Sequence, residues 1–287
     1  MSANKTANPF MPVRLLSIVM LALCVALFAS CSGGDINGPQ YSFSTDGCII
    51  GDPDFTANKT YINDIPVEGR DRVTVEAING EVVVTGREDV NRVMVTARLF
   101  VSSDSLQDAQ SQLDTLDVRV TVGANEILIQ TVQPETINGC THRVEYDINV
   151  PDSLEVVTTQ TNGTVAVLDI QNRVEVSNEN GNISLFGIVG GILADVENGL
   201  IESTAVLPLN ETIDLSTQNG GIVLSIPTST AAEFAATVNG IGTVSVSNLT
   251  MTDSAGTGKW QTGTLGSGQG SLVLSTVNGN IEVIGFN

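Results

Sequence analysis

Carboxylates are the side chains of this chain with most capacity for chemistry. Glycoside hydrolases and polysaccharide lyases built on β-helices need two carboxylates facing one groove, or a base beside a charge-neutralising cation. The acids that would have to supply them are Glu155, Asp169, Glu175, Asp195, Glu202 and Asp214. Basic partners are scarce, because only Arg173 and Lys259 follow Gln160. Aromatic platforms for sugars are scarce too, being limited there to Phe186, Phe234, Trp260 and Phe286. We therefore expect no enzyme and no catalytic residue, and a β-helix polysaccharide-active enzyme stays an alternative.

Nucleophilic and metal chemistry have still less support. No Gly-x-Ser-x-Gly elbow is present, and the single histidine, His142, is expected to be a surface imidazole near a disulfide. Glu179 and Glu197 each precede an Asn-Gly pair and could share a Ca²⁺ if they stacked, although such carboxylates more often point into water. We predict no metal and no cofactor. The "GSGQG" run from Gly266 to Gly270 precedes a strand, so it is not a dinucleotide fingerprint.

Asn-Gly pairs recur through the chain. Each could be a loop that binds a ligand or a corner of a repeating scaffold. The pairs that can be set in register are Asn79-Gly80, Asn162-Gly163, Asn180-Gly181, Asn198-Gly199, Asn219-Gly220, Asn239-Gly240 and Asn278-Gly279. From Asn162 onward the spacings are 18, 18, 21, 20 and 39 residues. A fixed period near 20 is typical of stacked repeats.

Residues beside these pairs alternate between apolar and polar, which predicts a strand on each side of each pair. Around Asn219 we expect Leu215, Ile222 and Leu224 to point inward, and Ser216 and Gln218 outward. Each pair could be a type I′ hairpin turn in an antiparallel meander. Alternatively it is a corner of a parallel solenoid, in which 18 residues give a coil of roughly 60 Å. The residues around successive pairs match one another, as stacked rungs require, and this favours the solenoid. The predicted fold is all-β, a parallel β-solenoid (β-helix-like) with rungs of about 20 residues.

Two segments interrupt the repeat. Residues 90–101 read as a long strand, and a short helix follows with Leu106, Ala109, Leu113 and Leu116 at helical spacing. A hairpin is expected around residues 123–125, and this whole region is predicted to be an N-terminal cap. Residues 250–271 are rich in Gly, Ser and Thr and read as a long surface loop around Trp260. The last repeat would then leave an open edge, unless that loop or another chain covers it.

The N-terminus predicts export. A 14-residue apolar run, 15–28, follows a basic segment and is short for a transmembrane helix. "FASC" at 28–31 resembles a lipoprotein lipobox, which makes Cys31 the lipid attachment site and Ser32 an outer-membrane sorting residue. An ordinary cleaved signal and a short membrane anchor are the alternatives. Cys24 would leave with the signal. Cys48 and Cys140 would remain, and two cysteines in an exported chain suggest a disulfide.

The charge of the chain excludes one class of partner. The net charge is −20, and removing residues 1–30 leaves 10 basic against 32 acidic residues, or −22. Such a chain repels phosphate backbones, so nucleic acid is not an expected partner.

Several segments together resemble the putative-adhesin family of bacterial β-solenoid domains of unknown function. They are "VEAINGEVVVTG", "SLQDAQSQLDTLDVRV", "YDINVPDSLEVVTTQTNG", "ENGNI", "ENGLI", "STQNGGIVLSIP" and "GSGQGSLVLSTVNGNIEVIG", and the resemblance covers roughly residue 67 to the end. The family name implies adhesion, but no functional residues carry over.

We divide the chain into a lipoprotein signal peptide (1–30), a tether and N-terminal strap (31–66), a capping region (67–151) and the repeats (152–287). The expected function is a non-enzymatic, adhesin-like lipoprotein of the outer membrane. It would make weak multivalent contacts with glycans or envelope proteins, on a membrane face that the sequence does not specify. A periplasm-facing envelope scaffold or stress-response accessory is an alternative.

Overall fold

The computed structural model describes residues 40–44, 55–134 and 141–287, with side chains from residue 55 onward. The 14-residue apolar run and Cys31, Cys48 and Cys140 lie outside the described residues. The lipid attachment and the disulfide therefore stay predictions. Within the described ranges, no helix is both long and apolar enough to cross a membrane.

The described chain forms two mixed sheets of 11 strands each, with one helix. Numbered along the chain, the strands of sheet I lie in the spatial order β1 (Gln40–Ser44), β2 (Phe55–Pro66), β5 (Arg92–Ser103), β8 (Thr141–Pro151), β4 (Val82–Arg87), β10 (Val165–Leu168), β12 (Ile183–Val189), β14 (Ile201–Val206), β16 (Ile222–Pro227), β22 (Ile281–Phe286) and β18 (Val244–Ser247). Those of sheet II lie in the order β19 (Met251–Thr257), β20 (Trp260–Leu265), β17 (Ala232–Val238), β21 (Gly270–Asn278), β15 (Thr212–Asn219), β13 (Ile192–Asn198), β11 (Val174–Asn180), β9 (Glu155–Asn162), β3 (Arg72–Asn79), β7 (Glu126–Val132) and β6 (Asp117–Val122). The all-β expectation is confirmed.

The core consists of the inward residues of the two sheets. Burial alternates along the repeat strands, as in Ile201–Val206, because successive side chains point to opposite faces. Leu215, Ile222 and Leu224 are fully buried, while Ser216 is half-buried and Gln218 exposed, as predicted. Burial of these β-branched and leucine side chains is the main stabilising contribution to each strand pair.

The chain crosses from sheet II to sheet I at each predicted corner. The strands before successive corners pair in parallel, with Asn79, Asn162, Asn180, Asn198, Asn219 and Asn278 in register. The strands that follow, β4, β10, β12, β14, β16 and β22, also pair in parallel. The two strands that flank a corner belong to different sheets. Hairpin turns in an antiparallel meander are therefore excluded at these positions.

Spatial order departs from chain order at the C-terminal end. β21 pairs with β15 on one side and with β17 on the other, and β22 likewise lies between β16 and β18. The last repeat is therefore interior to the stack, whereas we expected it to form an edge that was open unless a loop or another chain covered it. The Gly-rich segment also differs from its prediction. It contains the antiparallel strands β19 and β20, and β20 pairs with β17.

The N-terminal region matches its prediction in most parts. β5 is the long strand, and it pairs antiparallel with both β2 and β8. Helix α1 (Leu106–Leu113) begins at Ser105, whose side chain accepts a hydrogen bond from the Asp108 N–H. Leu116 is buried but lies beyond the end of the helix. β6 and β7 form the expected hairpin, and β7 adds to β3 in parallel.

Candidate functional site

The corner glycines form a column in which each backbone lies against the next. A Cβ at Gly163 would stand 1.6 Å from the carbonyl oxygen of Gly80, and one at Gly181 would stand 1.9 Å from that of Gly163. The same relation links Gly199, Gly220, Gly279 and Gly242 in turn, at 1.7–2.1 Å. Only glycine permits this approach. The glycines therefore serve stacking rather than the capture of a ligand.

The corner asparagines form a ladder of side-chain amides. The Nδ2 of Asn162 donates to Oδ1 of Asn79 at 2.9 Å, and Asn180, Asn198, Asn219 and Asn278 continue the pattern at 2.9–3.1 Å. The ladder ends at the His142 carbonyl on one side and at the Ile241 N–H on the other. Since each amide is used as both donor and acceptor, the predicted corner asparagines are engaged with one another.

An inner column of polar residues escaped the sequence analysis. Gln160, Asn178, Thr217 and Thr276 lie two residues before a corner asparagine and are buried. Each donates from its side chain to a glycine carbonyl of the neighbouring corner: Gly80, Gly163, Gly199 and Gly220, at 2.7–3.2 Å. In the sequence, this column could have been recognised from the polar residue that recurs two positions before the corner asparagines. Buried Oε1 of Gln160 and Oδ1 of Asn178 have no partner among the described residues.

One predicted corner is displaced. Val244 pairs with Ile281, which sets Ile241 and Gly242 opposite Asn278 and Gly279 rather than Asn239 and Gly240. The Gly279 N–H donates to the Ile241 carbonyl at 2.8 Å, and Gly242 has the positive φ, +137°. The corner is thus Ile241-Gly242. The signal was present, because Val244 and Val246 then occupy the places that β-branched residues and leucines occupy after most other corners.

Sheet II carries a continuous row of outward side chains. We call this set the outward row, and it consists of Gln130, Glu76, Thr159, Ser177, Asp195, Ser216, Ser275, Thr237 and Trp260. Neighbouring strands in a sheet lie ~4.8 Å apart, so the row is periodic. The hydroxyls of Thr159, Ser177, Ser275 and Thr237 make no hydrogen bond within the described residues. They are available to a ligand.

The six acids considered for catalysis do not converge. Glu155, Glu175, Asp195 and Asp214 lie on the outward face of sheet II, whereas Glu202 lies on sheet I and Asp169 follows β10 with a positive φ. Glu155 is held by the Arg72 guanidinium at 2.8 Å and lies 3.7 Å from that of Arg173. A carboxylate engaged in this way is a structural ion pair.

Asp214 and Asp195 are the two acids that influence each other. Partial burial, and then the negative charge of Asp195, raise the pKa of the Asp214 carboxyl. Asp195 also accepts a short hydrogen bond from the Ser216 hydroxyl. Their strands adjoin with Asp195 opposite Ser216, so the two carboxyls are diagonal neighbours on an outward face.

The stacking proposed for Glu179 and Glu197 is present in the strand register. Asn180 lies opposite Asn198, so the two preceding glutamates are adjacent, and both are exposed. Among the described residues, no three His, Cys, Asp or Glu side chains form a group that could hold a metal.

His142 differs from its prediction as a surface imidazole. It is fully buried on β8, opposite Val101, and neither ring nitrogen has a hydrogen-bond partner of good geometry among the described residues. Burial lowers the pKa of His142, and the backbone of Gln112 in α1 acts weakly in the opposite direction. The alternation of β8 was the missed signal, since His142 shares the inward parity of Val144 and Tyr146.

The end of the outward row combines an aromatic ring with a cation. Trp260 is 40% exposed and lies opposite Thr237. Its neighbour Lys259 donates from Nζ to the Gly240 carbonyl at 2.5 Å. Ile241 is 79% exposed at the adjoining corner. We call these residues, with Asn239, the C-terminal tip.

Solved structures resemble this chain only distantly. A putative cell adhesion protein from Clostridium sporogenes is 12% identical, with a TM-score of 0.43 over 80% of this chain and 100% of that one. A putative adhesin from Bacteroides fragilis is 10% identical, with a TM-score of 0.30 over 78% and 96%. A putative lipid binding protein from Parabacteroides distasonis is 10% identical, with a TM-score of 0.22 over 78% and 96%. No family model and no curated protein matches the sequence significantly. A function cannot be transferred at such identities.

Proposed function

We propose that this protein is a non-enzymatic, adhesin-like module whose outward row makes weak, repeated contacts with glycans or envelope proteins. The observation that carries the proposal is the row itself, with four unengaged hydroxyls and an exposed tryptophan in strand register. The unengaged hydroxyls form two pairs on adjacent strands, Thr159 with Ser177 and Ser275 with Thr237, and such a repeat suits a polymer whose own groups repeat. Trp260 adds a flat apolar platform.

The architecture that we propose for this module is a parallel β-solenoid with rungs of about 20 residues. In-register parallel pairing at six corners supports it. Residues 67–151 would act as the N-terminal cap and 152–287 as the repeats. The antiparallel strands β2 and β5 and helix α1 lie within or beside that proposed cap.

The charge of the surface narrows the partner. Glu76 and Asp195 lie in the outward row, and Glu175 and Asp214 lie beside it. Anionic polymers would be repelled by this face. We therefore favour an uncharged glycan, or a protein with a basic surface, over an acidic polysaccharide.

A polysaccharide-active enzyme has less support. Its acids would have to share a groove, but Glu202 and Asp169 lie away from the face that carries the others. Glu155 is neutralised by its arginine partner. We propose binding without turnover.

We also propose that the module is exported and held on the outer membrane by a lipid on Cys31. The expected result is that the native protein is labelled by a radioactive fatty acid and recovered with outer-membrane lipids, while a Cys31→Ala variant is not labelled. Equal labelling of the two proteins, or of neither, would remove the lipid anchor from the proposal. Protease treatment of intact cells then separates surface display from a periplasmic scaffold, because a periplasmic protein is protected.

The binding proposal is tested by blocking the row. Thr159→Arg with Ser275→Arg places two bulky side chains on it, and Ser184→Arg with Ser225→Arg places the same two on the outward face of sheet I. We expect the first variant to lose about tenfold or more in affinity for cells or for a panel of uncharged glycans, since ~1.4 kcal/mol is tenfold. The control should bind like the native protein. Equal binding by both variants, or no binding by the native protein, would overturn the proposal.

A further inference from the structure

Asn-Gly pairs have a chemistry of their own, which the fold controls. The glycine nitrogen can attack Cγ of the preceding asparagine. The bond from Cγ to the amide nitrogen then breaks, and ammonia leaves a five-membered succinimide. Water opens the ring to aspartate or isoaspartate. One water is consumed and one ammonia released, with no change in oxidation state. Glycine favours the attack because no Cβ blocks the approach.

At six corners the attacking nitrogen is occupied. The N–H groups of Gly80, Gly163, Gly181, Gly199, Gly220 and Gly279 donate to the backbone carbonyl at the next corner, at 2.8–3.0 Å. The amides that would be attacked are tied into the ladder on both sides. Cyclisation there requires the backbone and side-chain hydrogen bonds to break together.

Asn239-Gly240 has neither restraint. The corner position belongs to Ile241-Gly242, so Asn239 lies outside the ladder and its side chain has no hydrogen bond among the described residues. Its own N–H donates to the Thr276 carbonyl, but the Gly240 N–H has no acceptor there. Exposure does not make the difference, because Asn162, Asn180, Asn198, Asn219 and Asn278 are exposed as well.

We propose that Asn239 is a site of spontaneous deamidation in the native protein and that the six ladder asparagines are protected by the stack. The product carries a new carboxylate at the C-terminal tip, close to the Lys259 ammonium that donates to the Gly240 carbonyl. The isoaspartate form also lengthens the backbone between β17 and β18 by one methylene. The tip therefore changes charge and shape with the age of the molecule.

The test is peptide mapping of the purified full chain after incubation at mildly alkaline pH. Cleavage after Glu233 and before Asp253 isolates Asn239 in a peptide with no other Asn-Gly pair. We expect Asn239 to lose its amide about thirtyfold faster than Asn180 or Asn198, equivalent to ~2 kcal/mol at about 1.4 kcal/mol per tenfold. In urea all of these pairs should react at similar rates, because the fold no longer distinguishes them.

An Asn239→Gln variant serves as the assignment control, since glutamine would have to close a larger ring. Its native peptide map should show no early deamidation among the six Asn-Gly pairs that remain within residues 55–134 and 141–287. Asn37-Gly38 and Asn138-Gly139 lie outside the described residues and are followed as separate peptides. Deamidation of Asn239 in the folded protein no faster than that of the ladder asparagines would overturn the proposal. So would rate differences between the sites that are as large in urea as in the folded protein.

Discussion

The carbonyl oxygen of Gly80 lies 1.6 Å from the point at which a Cβ on residue 163 would stand. Gly163 also has a φ of +129°, which L side chains rarely adopt. We expect Gly163→Ala to lower the free energy of unfolding by about 3 kcal/mol or more, from backbone strain and overlap together. Urea denaturation measures the loss.

Two other glycines separate these causes. A Cβ at Gly258 meets nothing within 4 Å and Gly258 has no positive φ, so Gly258→Ala should be neutral. Gly69 has open space but a φ of +81°, so Gly69→Ala should cost only the strain, about 1 kcal/mol. Similar losses in all three variants would mean that close stacking is not the reason for glycine at the corners.

The amide ladder makes a second prediction. Asn180 donates to Asn162 and accepts from Asn198, so Asn180→Ala removes two hydrogen bonds of the ladder and leaves two neighbours incomplete. We expect a loss of about 1–2 kcal/mol in unfolding free energy. Asn239→Ala is the matched control, and its change should stay within about 0.5 kcal/mol. A neutral Asn180→Ala would show that the ladder follows from the fold without stabilising it.

Buried His142 predicts a dependence of stability on pH. Its folded pKa lies below the unfolded value of about 6.5, so the unfolded chain binds the proton first. The stability that the neutral, buried imidazole contributes is therefore complete above pH ~6.5. It is lost as the pH falls from there toward the lowered folded pKa, by at most about 1.4 kcal/mol per pH unit. Urea midpoints measured across this range should fall in the native protein and stay nearly flat in His142→Leu. Parallel profiles would contradict the assignment to His142.

Asp214 predicts the opposite slope. Its folded pKa is raised by burial and by Asp195, so the charged form is less favourable in the folded protein than in the unfolded chain. This cost is present above the folded pKa and vanishes below the unfolded value of about 3.9. Asp214→Asn should therefore raise stability at neutral pH by a few tenths of a kcal/mol, in keeping with a half-exposed site. The gain should disappear near pH 3 in thermal unfolding, and destabilisation at neutral pH would refute the assignment.

The interior position of β21 and β22 predicts the result of a truncation. A chain that ends at Gln269 lacks the strands that join β15 to β17, including buried Leu272 and Leu274. Hydrogen exchange should show that the amides of β17 lose protection while those of β11 stay protected. Replacing residues 251–265 by a short Gly-Ser linker removes only the hairpin that covers one edge, and it should leave β21 protected. Retained protection of β17 in the truncated chain would mean that the stack closes without its inserted rung.

The sequence was sufficient for the corners whose residues repeat without interruption. Asn162, Asn180, Asn198 and Asn219 stack because the rungs between them have similar lengths and the strands that precede them have matching alternation. The corner at Ile241 was missed because a nearby Asn-Gly pair carries the stronger turn signal. His142 was missed because its residue type outweighed its place in an alternating strand.

The spatial order of the rungs could not be predicted from the sequence, for a physical reason. β17 and β21 both offer the same alternation, with Phe234 and Leu272 opposite each other and buried, so either could pair with β15. The alternation of residues along each strand does not indicate which of the two becomes the neighbour of β15. The outward row could not be recognised in the sequence either, because its members line up only when the strand register is known.

The inserted rung also affects the order in which the molecule can be made. A stack assembled in chain order would add each rung to a finished neighbour as the polypeptide emerges. Here β15 and β16 cannot reach their final partners until β21 and β22 arrive, by which time β17 to β20 have already been synthesised. Until then each keeps an edge that its final partner does not cover. Such an edge is a template for pairing with another chain. A factor that shields this edge, or a pause in synthesis before residue 270, should therefore affect the yield of this protein at that step.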